Sequence, residues 1–287
     1  MFKKTHLALL LLAAAVLLVL NLDKPAKKIN QPKPNYVPLD QSVSEYLVAQ
    51  EGTYGLYFID LKSGEKFGYN QYTSFHAAST FKLPMNLYLY TQAEKEKINL
   101  AQKLTYQSRH AEGGTGILKN YPPGKSYTIK QLATYSIVNS DNIATNILLE
   151  RLDRKKVKSY MRDLGGKVVE DDNNVTCPHD LALYMQKTIE FYRTGSPEAK
   201  MLTENLFAAE FKDRIPAAVP PGVKVANKIG NWPPTGTYND VAYVEHPVRP
   251  YILAVTCSGT PGYGSAVPVI RQVSKMIYEY QATENSP

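Results

Sequence analysis

Residues 223–257 read VKVANKIGNWPPTGTYNDVAYVEHPVRPYILAVTC. Within them Val223 to Ile229, Tyr238 to Glu245 and Tyr251 to Cys257 are β-branched and aromatic runs bounded by proline and glycine. Runs of that length and composition predict three strands. Downstream, Ala266 to Tyr280 has helical periodicity. Far upstream, Gly55 to Asp60 and Lys66 to Asn70 are strand-like runs about a Ser63-Gly64 turn, and Val43 to Gln50 before them has helical spacing. Between the two ends the chain is rich in helices and loops: about Ser79 to Glu96, Ile129 to Val138, Asp141 to Leu152, Lys155 to Leu164 and Asp180 to Arg193. Strands at both ends with helices between predict an α+β fold. One antiparallel sheet is assembled from both chain ends and flanked by helices, a three-layer α/β/α sandwich with an inserted all-helical subdomain. No internal repeat is visible.

The 287 residues carry 33 basic and 26 acidic side chains, a net charge of +7, and 44% are hydrophobic. That excludes a disordered or collagen-like chain. Lys3, Lys4, Lys24, Lys27, Lys28 and Lys33 against Asp23 put +5 into the first 33 residues, leaving +2 for the rest. No nucleic-acid partner is implied. Phe2-Lys3-Lys4 followed by the apolar run Leu7 to Leu20 reads as an export signal or an uncleaved signal anchor over 1–22. Residues 23–38, with Pro25, Pro32, Pro34 and Pro38, read as a flexible tether. The domain proper is expected over 39–283, outside the cytoplasm, secreted or held to the membrane by its N-terminal segment, as a monomer. Cys177 and Cys257 lack zinc-site spacing and are either one bridge or two core thiols. No metal or cofactor is expected.

A serine hydroxyl needs an adjacent base to become a nucleophile, and S-x-x-K at a helix start sets both groups on one face. The pattern occurs twice, as Ser63-Gly64-Glu65-Lys66 and Ser79-Thr80-Phe81-Lys82. The first falls in a turn; only the second stands where a helix begins. Alone, Ser79 reads as a helix cap, and Ser140-Asp141-Asn142 before the spacing Ile143, Ile147, Leu148 reads as another. Lys228-Ile229-Gly230 ends a strand, where a lysine is normally a solvated charge.

Their order is what carries information. Serine-lysine on a helix, then Ser-Asp-Asn, then Lys-x-Gly on a late strand resembles the motif set of class A β-lactamases and penicillin-binding proteins. The segments Ala78 to Lys82, Val219-Pro220-Pro221-Gly222 running into Val225 to Lys228, and Gly236 to Ala242 are similar to class A segments too. The resemblance covers roughly residues 40 to 283. It implies a serine hydrolase that opens the β-lactam amide through an ester on Ser79. Lys82 would be the proton partner of Ser79, and Ser140 would relay a proton to the leaving nitrogen. Asn142 would hydrogen-bond the substrate amide and Lys228 would hold the substrate carboxylate. The N–H groups of Ser79 and of Asn231, next after Gly230, would form the oxyanion hole. To accept a proton near neutral pH, Lys82 needs its pKa lowered by about 3 from about 10.4, or about 4 kcal/mol. The substrate would be a β-lactam or a peptidoglycan peptide.

Two departures qualify the resemblance. Most of the Ω-shaped loop that bears a deacylating glutamate in class A enzymes is missing between Leu164-Gly165 and Val175-Thr176-Cys177-Pro178. Glu170, with Asn174 in Glu-x-x-x-Asn spacing, is the nearest candidate, although Asp171 to Asn174 also read as a polar turn. Ile229 stands where the family has a threonine or serine that contacts the substrate carboxylate, so weaker handling of penicillins is expected. Arg214 is a further candidate cation for the substrate carboxylate, but reads more simply as a solvated arginine. A D-alanyl-D-alanine peptidase and a slowly deacylating sensor of cell-wall fragments or β-lactams are the alternatives.

Other chemistries find no support. There is no G-x-S-x-G, and none of His6, His76, His110, His179 and His246 has the H-E-x-x-H neighbour. Gly124-Lys125-Ser126 resembles a P-loop end but follows Pro122-Pro123, a turn. Of the 21 tyrosines, Tyr106, Tyr121 and Tyr238 are candidates to line a cleft.

Overall fold

The computed structural model describes residues 33–283. The signal or anchor read over 1–22, and residues 23–32 of the tether, lie outside the described residues. The last residues of the tether stretch belong to the packed fold. Tyr36 is buried against Phe58, ring centroids 5.1 Å apart, and its hydroxyl donates to Asp60 Oδ2 at 2.8 Å. Helix α1 (Val37–Val48) follows at once with Pro38 in its first turn, where proline costs no hydrogen bond.

After α1 come β1 (Thr53–Asp60), β2 (Lys66–Tyr69) and the two-residue β3 (Phe75–His76). A 3₁₀ turn over Ala78–Phe81 leads into α2 (Lys82–Glu94). The middle of the chain supplies β4 (Lys103–Thr105), β5 (Ser126–Thr128), α3 (Ile129–Val138), α4 (Asn142–Leu152), α5 (Arg154–Asp163), β6 (Val175–Thr176), α6 (Pro178–Tyr192) and α7 (Pro197–Phe207). The chain closes with β7 (Val225–Trp232), β8 (Thr237–Val244), β9 (Tyr251–Ser258) and α8 (Tyr263–Ala282).

The five-stranded sheet has the order β2-β1-β9-β8-β7, antiparallel throughout. Both ends of the chain therefore build one sheet, with β9 joining the N-terminal hairpin to the C-terminal pair. Successive side chains of a strand point to opposite faces, and the two cores divide accordingly. Leu56, Phe58, Leu253 and Val255 pack on one face with α1 and α8 through Leu39, Val43, Ile270 and Ile277. Ile59, Ile252, Ala254 and Val241 pack on the other with Leu83, Leu148, Met185 and Leu202 of the helical layer. The result is the three-layer α/β/α arrangement that the strand distribution implies.

Local differences from the sequence reading have physical causes. The helix expected from Ser79 begins at Lys82, because Ala78 to Phe81 form the tighter 3₁₀ turn. Helix α7, unread in the sequence, is capped by Ser196, whose hydroxyl accepts from Ala199 N, with Pro197 in the first turn. Cys177 and Cys257 are both buried and free, so they are core thiols. Gly124 lies in a turn, its N–H donating to Tyr106 O, with Lys125 over the Tyr121 ring at 4.8 Å.

Candidate active site

Ser79 occupies the 3₁₀ turn ahead of α2, and the turn is held from three directions. Ala78, just before it, has φ 49°, a left-handed value that strains a residue with a Cβ. Its N–H donates to His76 Nδ1 at 3.1 Å and its carbonyl accepts from Asn174 Nδ2 at 3.1 Å. Pairing of β3 with β6, His76 opposite Val175, brings Asn174 there. On the third side β7 runs so close that a Cβ on Gly230 would lie 2.8 Å from Ala77 O and 3.0 Å from Ser79 N. Only glycine permits that approach. Ser79 lines a cleft of about 700 Å³, and among the described residues no protein group hydrogen-bonds its hydroxyl.

Lys82, one helical step on, is buried, and its ammonium donates to Ser140 O at 2.5 Å, Asn142 Oδ1 at 2.7 Å and Ser140 Oγ at 3.3 Å. Lys228, also buried, donates to the same Ser140 Oγ at 2.9 Å. One hydroxyl thus accepts from two lysines that lie 146 positions apart in sequence. Burial lowers the Lys82 pKa to about 8, against the opposing pull of the Asp141 and Glu112 charges. Burial lowers Lys228 well below its ordinary value too, and the Lys82 charge adds to the effect. Lys82 therefore covers most of the distance that a proton acceptor at neutral pH requires.

Asp141 is the cap that its position before a helix implies, with Oδ1 accepting from Ala144 N at 2.8 Å. Its Oδ2 accepts from Leu118 N at 2.7 Å, and Gly116 packs against it too closely to carry a side chain. That clamp fixes loop 107–117 over the cleft. Asn142 Nδ2 donates to Gly113 O at 2.8 Å, and Thr115 Oγ1 donates to Ser140 O at 2.8 Å. Ser140 itself has φ 53°, a second strained residue at the site.

Arg214 is fully buried rather than solvated. Its guanidinium donates to Asn239 O at 2.5 Å, to Gly230 O at 3.4 Å and to Asn231 Oδ1, and lies over the Tyr238 ring at 5.9 Å. It braces Asn231 from behind and does not line the cleft. Neighbouring Asp240 is also buried, and burial raises its pKa while Arg214 opposes the rise. Ile229, Gly230 and Asn231 line the cleft as their place on β7 predicts.

The structure brings Ser79, Lys82, Ser140, Asn142, Lys228, Gly230 and Asn231 to one locus. Glu170 is separate: its carboxylate is exposed, accepts from Asn173 Nδ2 at 2.7 Å, and is not among the cleft residues. Asn174, its partner in the spacing, does line the cleft. Tyr106, Tyr121 and Tyr238 do not. The cleft also contains residues that the sequence reading passed over. Trp232 stacks on His76 at one end, centroids 4.8 Å apart and planes 19° from parallel. Glu112, Asn146 and Arg154 lie among the lining residues as well. Away from the cleft, Cys177, His179 and Asp180 cluster within 4.8 Å, but both Asp180 oxygens already accept backbone N–H groups from Lys167 and Val168.

Residues 38–281 match the family described as the Beta-lactamase enzyme family. Beta-lactamase SME-1 of Serratia marcescens is 26% identical over 212 residues, covering 68% of this chain and 71% of the relative. Beta-lactamase ROB-1 of Haemophilus influenzae is 28% identical over 253 residues, covering 79% and 81%. Among solved structures, a mutant of PBP-A in its acyl-enzyme complex with penicillin-G superposes with a TM-score of 0.78 at 26% identity. It covers 86% of this chain and 98% of that one.

Proposed function

Because the chain belongs to the β-lactamase enzyme family, we propose that it is a serine hydrolase acylated at Ser79 by β-lactams, whose ring amide it hydrolyses. The observation that carries this reading is the Ser140 hydroxyl held by two buried ammonium groups, Lys82 and Lys228, in the cleft that Ser79 lines. With a pKa of about 8, about a tenth of Lys82 is neutral at pH 7. Neutral Lys82 takes the Ser79 proton as Oγ bonds to the lactam carbonyl carbon. The developing oxyanion accepts hydrogen bonds from the N–H groups of Ser79 and Asn231, which the tight passage of Gly230 against the serine turn favours. The C–N bond breaks as Ser140 gives its proton to the nitrogen, and Lys82 or Lys228 reprotonates Ser140. Lys228, with Asn231 braced by Arg214, makes that end of the cleft attractive to the substrate carboxylate. Asn142, oriented by Lys82 and Gly113 O, is available to the acyl-side amide.

The test is intact mass spectrometry of the protein mixed with a penicillin, run beside a chromogenic cephalosporin assay. Wild type is expected to gain one penicillin mass and Ser79→Ala none; labelling that survives the substitution refutes the assignment. Many turnovers mark a β-lactamase, whereas one turnover with a lasting adduct marks a D-alanyl-D-alanine peptidase or a sensor. The basic and apolar N-terminal sequence further supports export, with the domain secreted or tethered to the membrane, and we propose that it acts as a monomer. Fractionation of cells and a sizing column test those two points.

A further inference from the structure

Hydrolysis of an acyl-serine at neutral pH calls for a base that activates water. The glutamate suggested by spacing, Glu170, stands outside the cleft lining. Among the described residues that line the cleft, the one carboxylate belongs to Glu112. We propose that Glu112, presented by loop 107–117, is the general base that clears the acyl group from Ser79, an inference that rests on the acylation chemistry proposed above.

Glu112 is exposed at the mouth of the cleft, and its position there is set by one side-chain bond and by the anchored loop that carries it. Glu112 Oε2 accepts from Asn146 Nδ2 at 2.7 Å, and Asn146 Nδ2 also reaches His110 O at 3.2 Å. Asn146 lies four residues beyond Asn142 on α4. Two such residues share a face, their Cβ atoms about 5–6 Å apart. Asn142 in turn accepts from the Lys82 ammonium at 2.7 Å. Glu112 and Lys82 thus hydrogen-bond neighbouring asparagines one helical turn apart on the same helix. Consistent with that proximity, the Glu112 charge works against burial in setting the Lys82 pKa. The loop cannot swing freely, because Asn142 holds Gly113 O, Ser140 O holds the Thr115 hydroxyl, and Asp141 accepts from Leu118 N. Among the described residues Glu112 Oε1 has no protein partner, which leaves it to hold a water.

The step balances without any other reagent. Glu112 takes a proton from water as the water oxygen bonds to the acyl carbon. The ester C–O bond then breaks, and Ser79 Oγ recovers a proton from the Lys82 ammonium. The product leaves as the free acid, and Glu112 returns its proton to solvent. The competing account makes Glu112 a rim carboxylate that only caps Asn146.

Time-resolved intact mass with a penicillin separates the two on wild type, Glu112→Gln, Glu112→Asp and Glu170→Gln. We expect Glu112→Gln to acylate within about threefold of wild type, which also reports an intact fold, and to clear the adduct about a hundredfold or more slowly. Glu112→Asp, a carboxylate on a shorter arm, recovers part of that loss. Glu170→Gln clears at the wild-type rate. Glu112→Gln clearing as fast as wild type overturns the proposal while leaving acylation at Ser79 intact. An adduct that lasts equally in wild type and Glu112→Gln overturns it as well. Absence of any adduct in wild type overturns the acylation reading beneath it.

Discussion

Lys158→Met should make the protein more stable at neutral pH and a slower acyl acceptor. Lys158 on α5 is 1% exposed. Among the described residues its ammonium has one hydrogen-bond acceptor, Asn173 O at 2.9 Å, and it lies over the Phe81 ring at 5.3 Å. Burial lowers its pKa from 10.5 to about 8, helped by Arg154 and Arg162 and opposed by Asp171 and Glu170. At about 1.36 kcal/mol per tenfold, keeping it charged at pH 7 costs about 3 kcal/mol. Methionine retains most of the buried stem and removes the charge. Part of the gain is lost with the Asn173 bond and the ring contact, which leaves about 1–2 kcal/mol, or roughly 2–8 °C in Tm for a domain of this size. The sign with pH follows from proton binding. Between about pH 8 and 10.5 the unfolded wild type holds more protons at this lysine than the folded form does. Wild-type stability therefore rises through that window. The advantage of Lys158→Met is full below pH 8 and shrinks above it. Urea and thermal melts of both proteins at pH 7 and pH 9.5 measure this, and the other lysines whose pKa burial lowers, Lys82, Lys212 and Lys228, cancel in the difference. A variant less stable at pH 7, or an advantage that does not narrow by pH 9.5, refutes the reasoning. Acylation should slow several-fold, because Asn173 precedes the residue that binds Ala78 O beside Ser79.

Two further outcomes follow from the cleft itself. Ile229→Thr places a hydroxyl between Lys228 and Gly230, where a charged-group hydrogen bond of about 1.5–3 kcal/mol becomes available. Penicillin acylation is expected to rise roughly 10- to 100-fold by stopped-flow, and no change or a fall means that β7 does not dock the substrate carboxylate. The neutral form of Lys82 disappears as pH drops below its pKa of about 8. The acylation rate should then fall about tenfold per pH unit towards pH 6, and a flat profile removes Lys82 as the proton acceptor.

The sheet was legible because its determinants are local. Alternation in Tyr251 to Cys257 assigns Ile252 and Ala254 to one core and Leu253 and Val255 to the other, as observed. The serine and lysine motifs were legible because order along the chain survives folding. What sequence hid depends on contacts between distant segments. Arg214 sits in the charged stretch Phe211-Lys212-Asp213-Arg214, and nothing there tells that β7 and β8 close over it. Glu-x-x-x-Asn spacing made Glu170 the nearest candidate beside the reading of a plain polar turn, and β3–β6 pairing delivers Asn174 alone to the cleft. Glu112 looked like any loop acid, since its place is set by the Asp141 clamp and by Asn146. Helix α7 was within reach, because Ser196-Pro197-Glu198 is a helix-start signature.

Several features of the cleft are hard to justify by stability alone, and they coincide with the proposed chemistry. Lys82 and Lys228 are buried around one hydroxyl, and Arg214 is buried behind the same strand. Arg214 has Asp213 at 3.7 Å, but among the described residues neither lysine has a carboxylate at ion-pair distance, and the nearby Asp141 and Asp240 do not supply one. Their oxygens are taken by Ala144 N and Leu118 N in one case and by Ile215 N and Asn227 in the other. Ala78 and Ser140 hold left-handed backbone next to or within the reacting set, at a cost of about 1–3 kcal/mol each. A purely structural role would remove such strain and replace at least one buried lysine by an apolar side chain, a change that is often neutral or stabilising. An anionic substrate supplies the missing countercharge, and because it binds only the folded cleft it stabilises the fold by mass action. The same burial that weakens the protein lowers the Lys82 pKa only as far as Asp141 and Glu112 allow. Glu112 would then act on both halves of the reaction, by limiting how much neutral Lys82 is present for acylation and by activating the water that ends it.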